Sequence, residues 1–149
     1  MKRMLVVAGA LLLSVGAGIA QQDVANQTQT TMKATGRALG AVLSPMVKGE
    51  KPYDQATVNT SLTQLEETAK KLPTMFPDSI KGVKIEGDYH SSPKIWEDKA
   101  GFAAKIDSFA KAVAEVKGKI KDLDSLKAAV PAIGKECSSC HETFRLKNS

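Results

Sequence analysis

From Thr28 onward, apolar and small side chains return every three or four residues, and they rarely alternate with polar ones. Thr28, Met32, Thr35, Leu39, Val42 and Met46 share one face of a helix at about 3.6 residues per turn, and Gly49 with Pro52 stops it near Lys48. Asp54 caps a second helix striped by Val58, Leu62, Leu65, Ala69 and Leu72, which Pro73 ends. Ser92 and Pro93 read as the cap and first-turn proline of a third helix, with Trp96 early and then Phe102, Ile106, Phe109, Val113, Val116 and Ile120 on its inner face. A fourth begins at Asp122 or Asp124 and carries Leu126, Val130, Ile133, Cys137, Cys140 and Phe144, with Pro131 expected to kink it. Strand signals are nearly absent, since alanine, lysine, leucine and glutamate dominate. Four amphipathic helices, two of their links short, predict an all-α fold, an antiparallel four-helix bundle.

The periodicity fails between Pro73 and Ser92, where Pro77, Gly82, Gly87 and a polar run from Asp88 intervene. A connection of about 20 residues is long for a compact domain, so it is either packed on itself or functional.

The N-terminus follows a different rule. Met1-Lys2-Arg3 precedes an apolar stretch to about Val15 and then the small residues Gly18-Ile19-Ala20. That is the pattern of a secretory signal peptide, 1–20, with cleavage expected after Ala20. Its apolar run is short for a membrane span of ~20 residues, and no later stretch is longer, so stable membrane insertion is not expected. The remaining 21–149, about 129 residues, suffice for one domain with one core. The formal net charge of +5 includes Lys2 and Arg3 of the leader. The mature chain is then near +3. Its lysines lack the aromatic interleaving of a nucleic-acid surface, so no nucleic-acid partner is expected. They suit solvated helix faces, some of them a docking rim for an acidic partner.

Candidate chemistry gathers at the other end. Cys137-Ser138-Ser139-Cys140-His141 is a C-x-x-C-H run, and the chain has two cysteines in all. Thiols at this spacing can add to the two vinyl groups of a haem while the adjacent imidazole reaches the iron. A redox dithiol would want a βαβ setting, and zinc would want a second pair of ligands. A plain disulfide would leave His141 without a role. Because both cysteines lie on the inner stripe of the last helix, one haem c is expected inside the end of the bundle. No enzymatic constellation stands out, and an enzyme is not expected.

Helix arithmetic narrows the search for a group across the iron. In an up-down-up-down bundle the last helix runs against the first, so their outer ends are level. His141 lies roughly 12 Å from the C-terminus and Met32 roughly 14–17 Å from the mature start, at about 1.5 Å per residue. Met32 is therefore level with His141, whereas Met46 is about 21 Å further on and reads as core. Met75 and His90, in the long connection, belong to the same end. Met75 is expected to anchor the loop and His90 to face solvent. Arg145, one turn beyond His141, is placed either to cover that side of the ring or to pair with a haem carboxylate.

A C-x-x-C-H close to the C-terminus of an all-helical chain of this size resembles the class II c-type cytochromes, the cytochrome c′ family, over essentially the whole mature chain. Met46 through Asp54 and Phe144-Arg145 share in the likeness. Thr28 through Lys33, Phe76 through Ser79 and Ser91 through Trp96 look closest to its low-spin, methionine-ligated cytochrome c-556 branch. The resemblance implies thioether bonds at Cys137 and Cys140, and iron ligation by His141 and Met32. It also implies a soluble, periplasmic electron carrier that meets redox partner proteins as a monomer or homodimer. The alternative is a five-coordinate relative that binds or detoxifies nitric oxide or another diatomic gas.

Overall fold

A computed structural model describes the backbone of residues 11–148 and the side chains of 18–148. The first half of the expected leader, 1–10, lies outside the described residues, and Leu11 onward runs without a break into the first helix.

Four antiparallel rods form the molecule. The first joins α1 (Leu11–Arg37), a π-helical turn (Ala38–Leu43) and α2 (Ser44–Val47). The others are α3 (Gln55–Lys71), α5 (Lys99–Val116) and α6 (Leu123–Phe144), with α4 (Lys94–Glu97) a single turn before α5. α5 packs along α6, and α3 lies against both α5 and the π turn.

Local chemistry starts three of the rods. Asp54, in extended backbone, accepts the Thr57 amide at 2.7 Å and opens α3. Asp122, rather than Asp124, opens α6 through a capping box: its carboxylate takes the Ser125 amide at 2.8 Å, and the Ser125 hydroxyl takes the Asp122 amide at 3.2 Å. Pro131 lies within α6 without ending it.

The expected third helix is two helices. Asp98 leaves helical geometry and its carboxylate caps α5 by accepting the Gly101 amide at 2.9 Å, so the chain turns between α4 and α5. α5 then ends at Val116, and Gly118, at φ 79°, turns the chain back. Ile120 is consequently buried in the link rather than on the helix stripe.

The first stripe is re-phased by the π turn. Its buried positions run Thr28, Thr35, Ala38, Leu43, Met46, and Leu39 and Val42 are only partly buried beside them. The five-residue step from Ala38 to Leu43 is the signature of the wider turn, and Pro45 explains it. Proline has no N–H to give and its ring crowds the carbonyl four residues back, so the helix loosens one turn earlier. Ser44 Oγ donates to the Leu39 carbonyl at 2.9 Å there.

Two short strands also form, against the expectation from the pattern. β1 (Tyr89–Ser91) and β2 (Arg145–Lys147) pair antiparallel, with His90 opposite Leu146. Three residues each are too short for alternation to register.

The interior divides in two. A larger cluster, with Leu43, Leu65, Leu126 and Ile133 at its centre, fills the body of the bundle. A smaller one of Ala25, Ile80, Ile95, Trp96 and Phe144 occupies the end where the long connection folds back. That connection is held by the Trp96 indole, which donates to the Phe76 and Pro77 carbonyls at 3.2 and 3.3 Å.

Candidate haem site

The C-x-x-C-H motif straddles the boundary between the two clusters. Cys137 packs on the larger and Cys140 on the smaller, both half-buried and both free thiols. Beside Cys140 opens a cavity of about 420 Å³. His141 and Met32 both line it, one from α6 and the other from α1. Cys137 does not reach its wall.

The cavity is chemically two-sided. Ile80, Ile95, Phe76, Phe102 and Phe144 make an apolar wall, with Phe102 edge-on to both Phe76 and Phe144 at centroid distances of 5.3 and 5.1 Å. Lys33, Asp88, His90, Ser91 and Arg145 make a polar rim. Such a cavity suits a flat apolar ring with a few charged groups along one edge.

Burial sets the protonation of the motif. It pushes the His141 imidazole below its ordinary pKa, helped by the Arg145 charge. The ring is thereby held neutral, the form that binds a metal. Burial raises both thiols, with the neighbouring Cys140 adding to the effect at Cys137 and Lys105 opposing it at Cys140. Lys105 Nζ also donates to Ser139 Oγ within the motif.

The other candidates separate clearly. Met46 is buried in the larger cluster, as expected. Met75 lies outside the cavity, and its carbonyl accepts the Thr28 hydroxyl at 2.8 Å, which ties the connection to α1. His90 is not a solvent-facing loop histidine: it is half-buried in β1 on the cavity wall. Arg145 stacks over the Tyr89 ring, 4.0 Å from its centroid, and is drawn to the β1 side.

Sequence reasoning missed the roof. Val83 and Ile85 turn into the cavity, and the same segment is tethered to α1 by Gln22 to the Lys84 carbonyl at 3.2 Å and Gln29 to the Glu86 carbonyl at 2.5 Å. The alternation Val83-Lys84-Ile85-Glu86 was the available signal.

The profile of the family described as Cytochrome C′ matches residues 23–145. The chain belongs to the cytochrome c′ family. Cytochrome c-556 of Rhodopseudomonas palustris is 55% identical over 148 residues, 99% of each chain. Cytochrome c′ of the same organism is 41% identical over 148 residues, covering 99% of this chain and 98% of its own. The NMR-validated structural model of oxidised R. palustris cytochrome c556 superposes with a TM-score of 0.75 at 55% identity, over 86% of this chain and 99% of that one. Within the family, the likeness thus includes the c-556 branch. As a cytochrome c′ family protein, this chain is a monohaem c-type cytochrome that carries its haem c covalently. The cavity fits that group: the Cys140 thiol, a neutral imidazole, an apolar wall and a polar rim meet there, with the Cys137 thiol one turn along α6. Among the described residues, no helix is long and apolar enough to cross a membrane.

Proposed function

We propose that this chain is an exported, low-spin electron-transfer cytochrome in which Cys137 and Cys140 would form the thioether bonds and His141 and Met32 would ligate the iron. The observation that carries the reading is that Met32 and His141, on antiparallel rods, line one cavity beside Cys140. The haem supplies a one-electron change at its iron, and the protein's work is to hold it still. The neutral His141 ring gives one ligand and the Met32 thioether the other, a pair that favours the ferrous form and needs little rearrangement on electron transfer. Phe76, Phe102 and Phe144 keep water from the ring. Recognition of redox partners is through weak, partly electrostatic contacts near the haem edge. Export with removal of 1–20 agrees with the solved relative matching 86% of this chain but 99% of its own length.

Optical spectra of the purified holoprotein and of Met32→Ala test this. The wild type should show a low-spin ferric spectrum with a weak near-infrared sulfur-to-iron band, and the variant should lose that band and become high-spin. A wild type already high-spin, or a variant spectrum unchanged from wild type, would refute Met32 ligation. The first result would favour diatomic-gas binding at an open iron position.

A further inference from the structure

Among the described residues, every lysine and arginine is exposed except Lys105. Taking an ammonium even partly out of water costs hydration, which a carboxylate ordinarily offsets. Here none does. The ion-paired lysines among the described residues are Lys70, Lys99, Lys117 and Lys127, and neither Glu136 nor Glu142, three positions either side of Ser139 on α6, reaches Lys105. Lys105 Nζ donates instead to Ser139 Oγ, between the two cysteines of the attachment motif. A neutral hydroxyl fixes the ammonium without cancelling its charge. Burial raises the Cys140 thiol, and the Lys105 charge opposes that rise, so its field is felt at the attachment point.

The place of the lysine follows from α5. Phe102, Lys105 and Phe109 succeed one another at three- and four-residue steps, so Lys105 sits one turn beyond the Phe102 ring that lines the haem cavity. Lys105 is not itself part of the cavity wall. Its influence on the haem is therefore through its field.

We propose that Lys105 tunes the redox equilibrium: pinned by Ser139 beside Cys140, its uncompensated ammonium raises the reduction potential of the haem iron. One electron taken from a redox partner protein lowers the charge of the iron by one, from ferric to ferrous, and no bond or proton at Lys105 changes. A fixed cation nearby disfavours the more positive state, so the ferrous form gains. Solvent and salt screen a half-buried charge less than an exposed one at the same distance, so Lys105 should outweigh the exposed lysines around it.

The inference rests on the electron-transfer reading above, but not on which residue is the sixth ligand. Spectroelectrochemical titration at fixed pH and ionic strength compares the wild-type holoprotein with Lys105→Gln, Lys105→Arg, Ser139→Ala and Lys135→Gln. At a given electrode potential, Lys105→Gln should shift the ferric-to-ferrous ratio about threefold toward ferric, ~28 mV on the one-electron scale of about 59 mV per tenfold. Lys105→Arg keeps the charge and should stay near wild type. Ser139→Ala lets the ammonium swing into solvent and should fall between wild type and Lys105→Gln. Lys135→Gln removes an exposed charge two residues before Cys137 and should shift the ratio less than Lys105→Gln does. An unchanged potential in Lys105→Gln, or an equal fall in Lys105→Arg or Lys135→Gln, overturns the proposal; a wild-type potential in Ser139→Ala overturns the part given to Ser139. The sulfur-to-iron band is followed in the same samples. Its loss in Lys105→Gln alone would assign the fall to altered ligation and overturn the charge argument. Its absence from wild type would count against Met32 ligation and leave the comparison of potentials standing by itself.

Discussion

Gly87 is the residue on which the roof of the haem cavity turns. Its φ of 126° lies where side chains are rarely tolerated, and a Cβ there would stand 3.2 Å from Gln29 Nε2. That nitrogen is the one holding the Glu86 carbonyl at 2.5 Å. Gly87→Ala should strain the backbone and push this tether aside, at a cost of about 1–3 kcal/mol in unfolding free energy. Urea denaturation of the holoprotein checks it, and a midpoint equal to wild type would show that the loop relaxes freely. At this scale the sequence was most legible where residue type and spacing coincide. Cys140, His141 and Met32 announce themselves by motif and stripe, and all three meet at the cavity. His90 does not, because what fastens it at the cavity wall is an amide 58 positions away, brought over by a strand pair too short to leave a period.

At the scale of elements, the pattern located four rods and two of their caps, and erred where one turn departs from the α-helical step. The π turn hides between Ala38 and Leu43 because a periodicity of three and four absorbs Leu39 and Val42 equally well; only Pro45 hinted that the ladder would be disturbed. The break at Asp98 had its own signal, an aspartate three residues before Gly101, outweighed by the stronger Ser92-Pro93 start. The caps carry a pH consequence. The Ser125 side-chain and backbone bonds hold the Asp122 carboxyl below its ordinary pKa, and the Thr57 bonds do the same for Asp54. A depressed carboxyl contributes stability in full above its unfolded pKa, and loses it as pH falls through the folded one. Asparagine caps nearly as well as aspartate but does not titrate. Asp122→Asn should thus leave the urea midpoint near neutrality little changed and flatten its decline below about pH 4. An equally steep acid limb in the variant would mean that this cap does not contribute to it.

For the molecule as a whole, the long connection is what joins the two rods that bear the proposed iron ligands. Gln22, Gln29 and the Thr28 hydroxyl bind it to α1. On the other side β2 pairs with β1, the Asn148 amide donates to the Asp88 carbonyl at 2.8 Å, and the Ser92 amide donates to the Phe144 carbonyl at 3.1 Å. The larger core cluster contains none of the residues that make these ties, being built from the π turn, α2, α3, α5, α6 and the link residue Ile120. Closure of the cavity and stability of the bundle should therefore respond to different changes. A chain ending at Phe144 removes β2 and the Asn148 bonds while leaving α6 whole. Its helical circular dichroism should match that of the full-length holoprotein. Imidazole added to the ferric protein should bind about tenfold more tightly, which corresponds to ~1.4 kcal/mol of lost closure. Equal imidazole affinity in the two proteins would show that the roof is held from α1 alone. Loss of helical signal would instead tie the strand pair to the folding of the whole bundle, and would contradict the separation of its two cores.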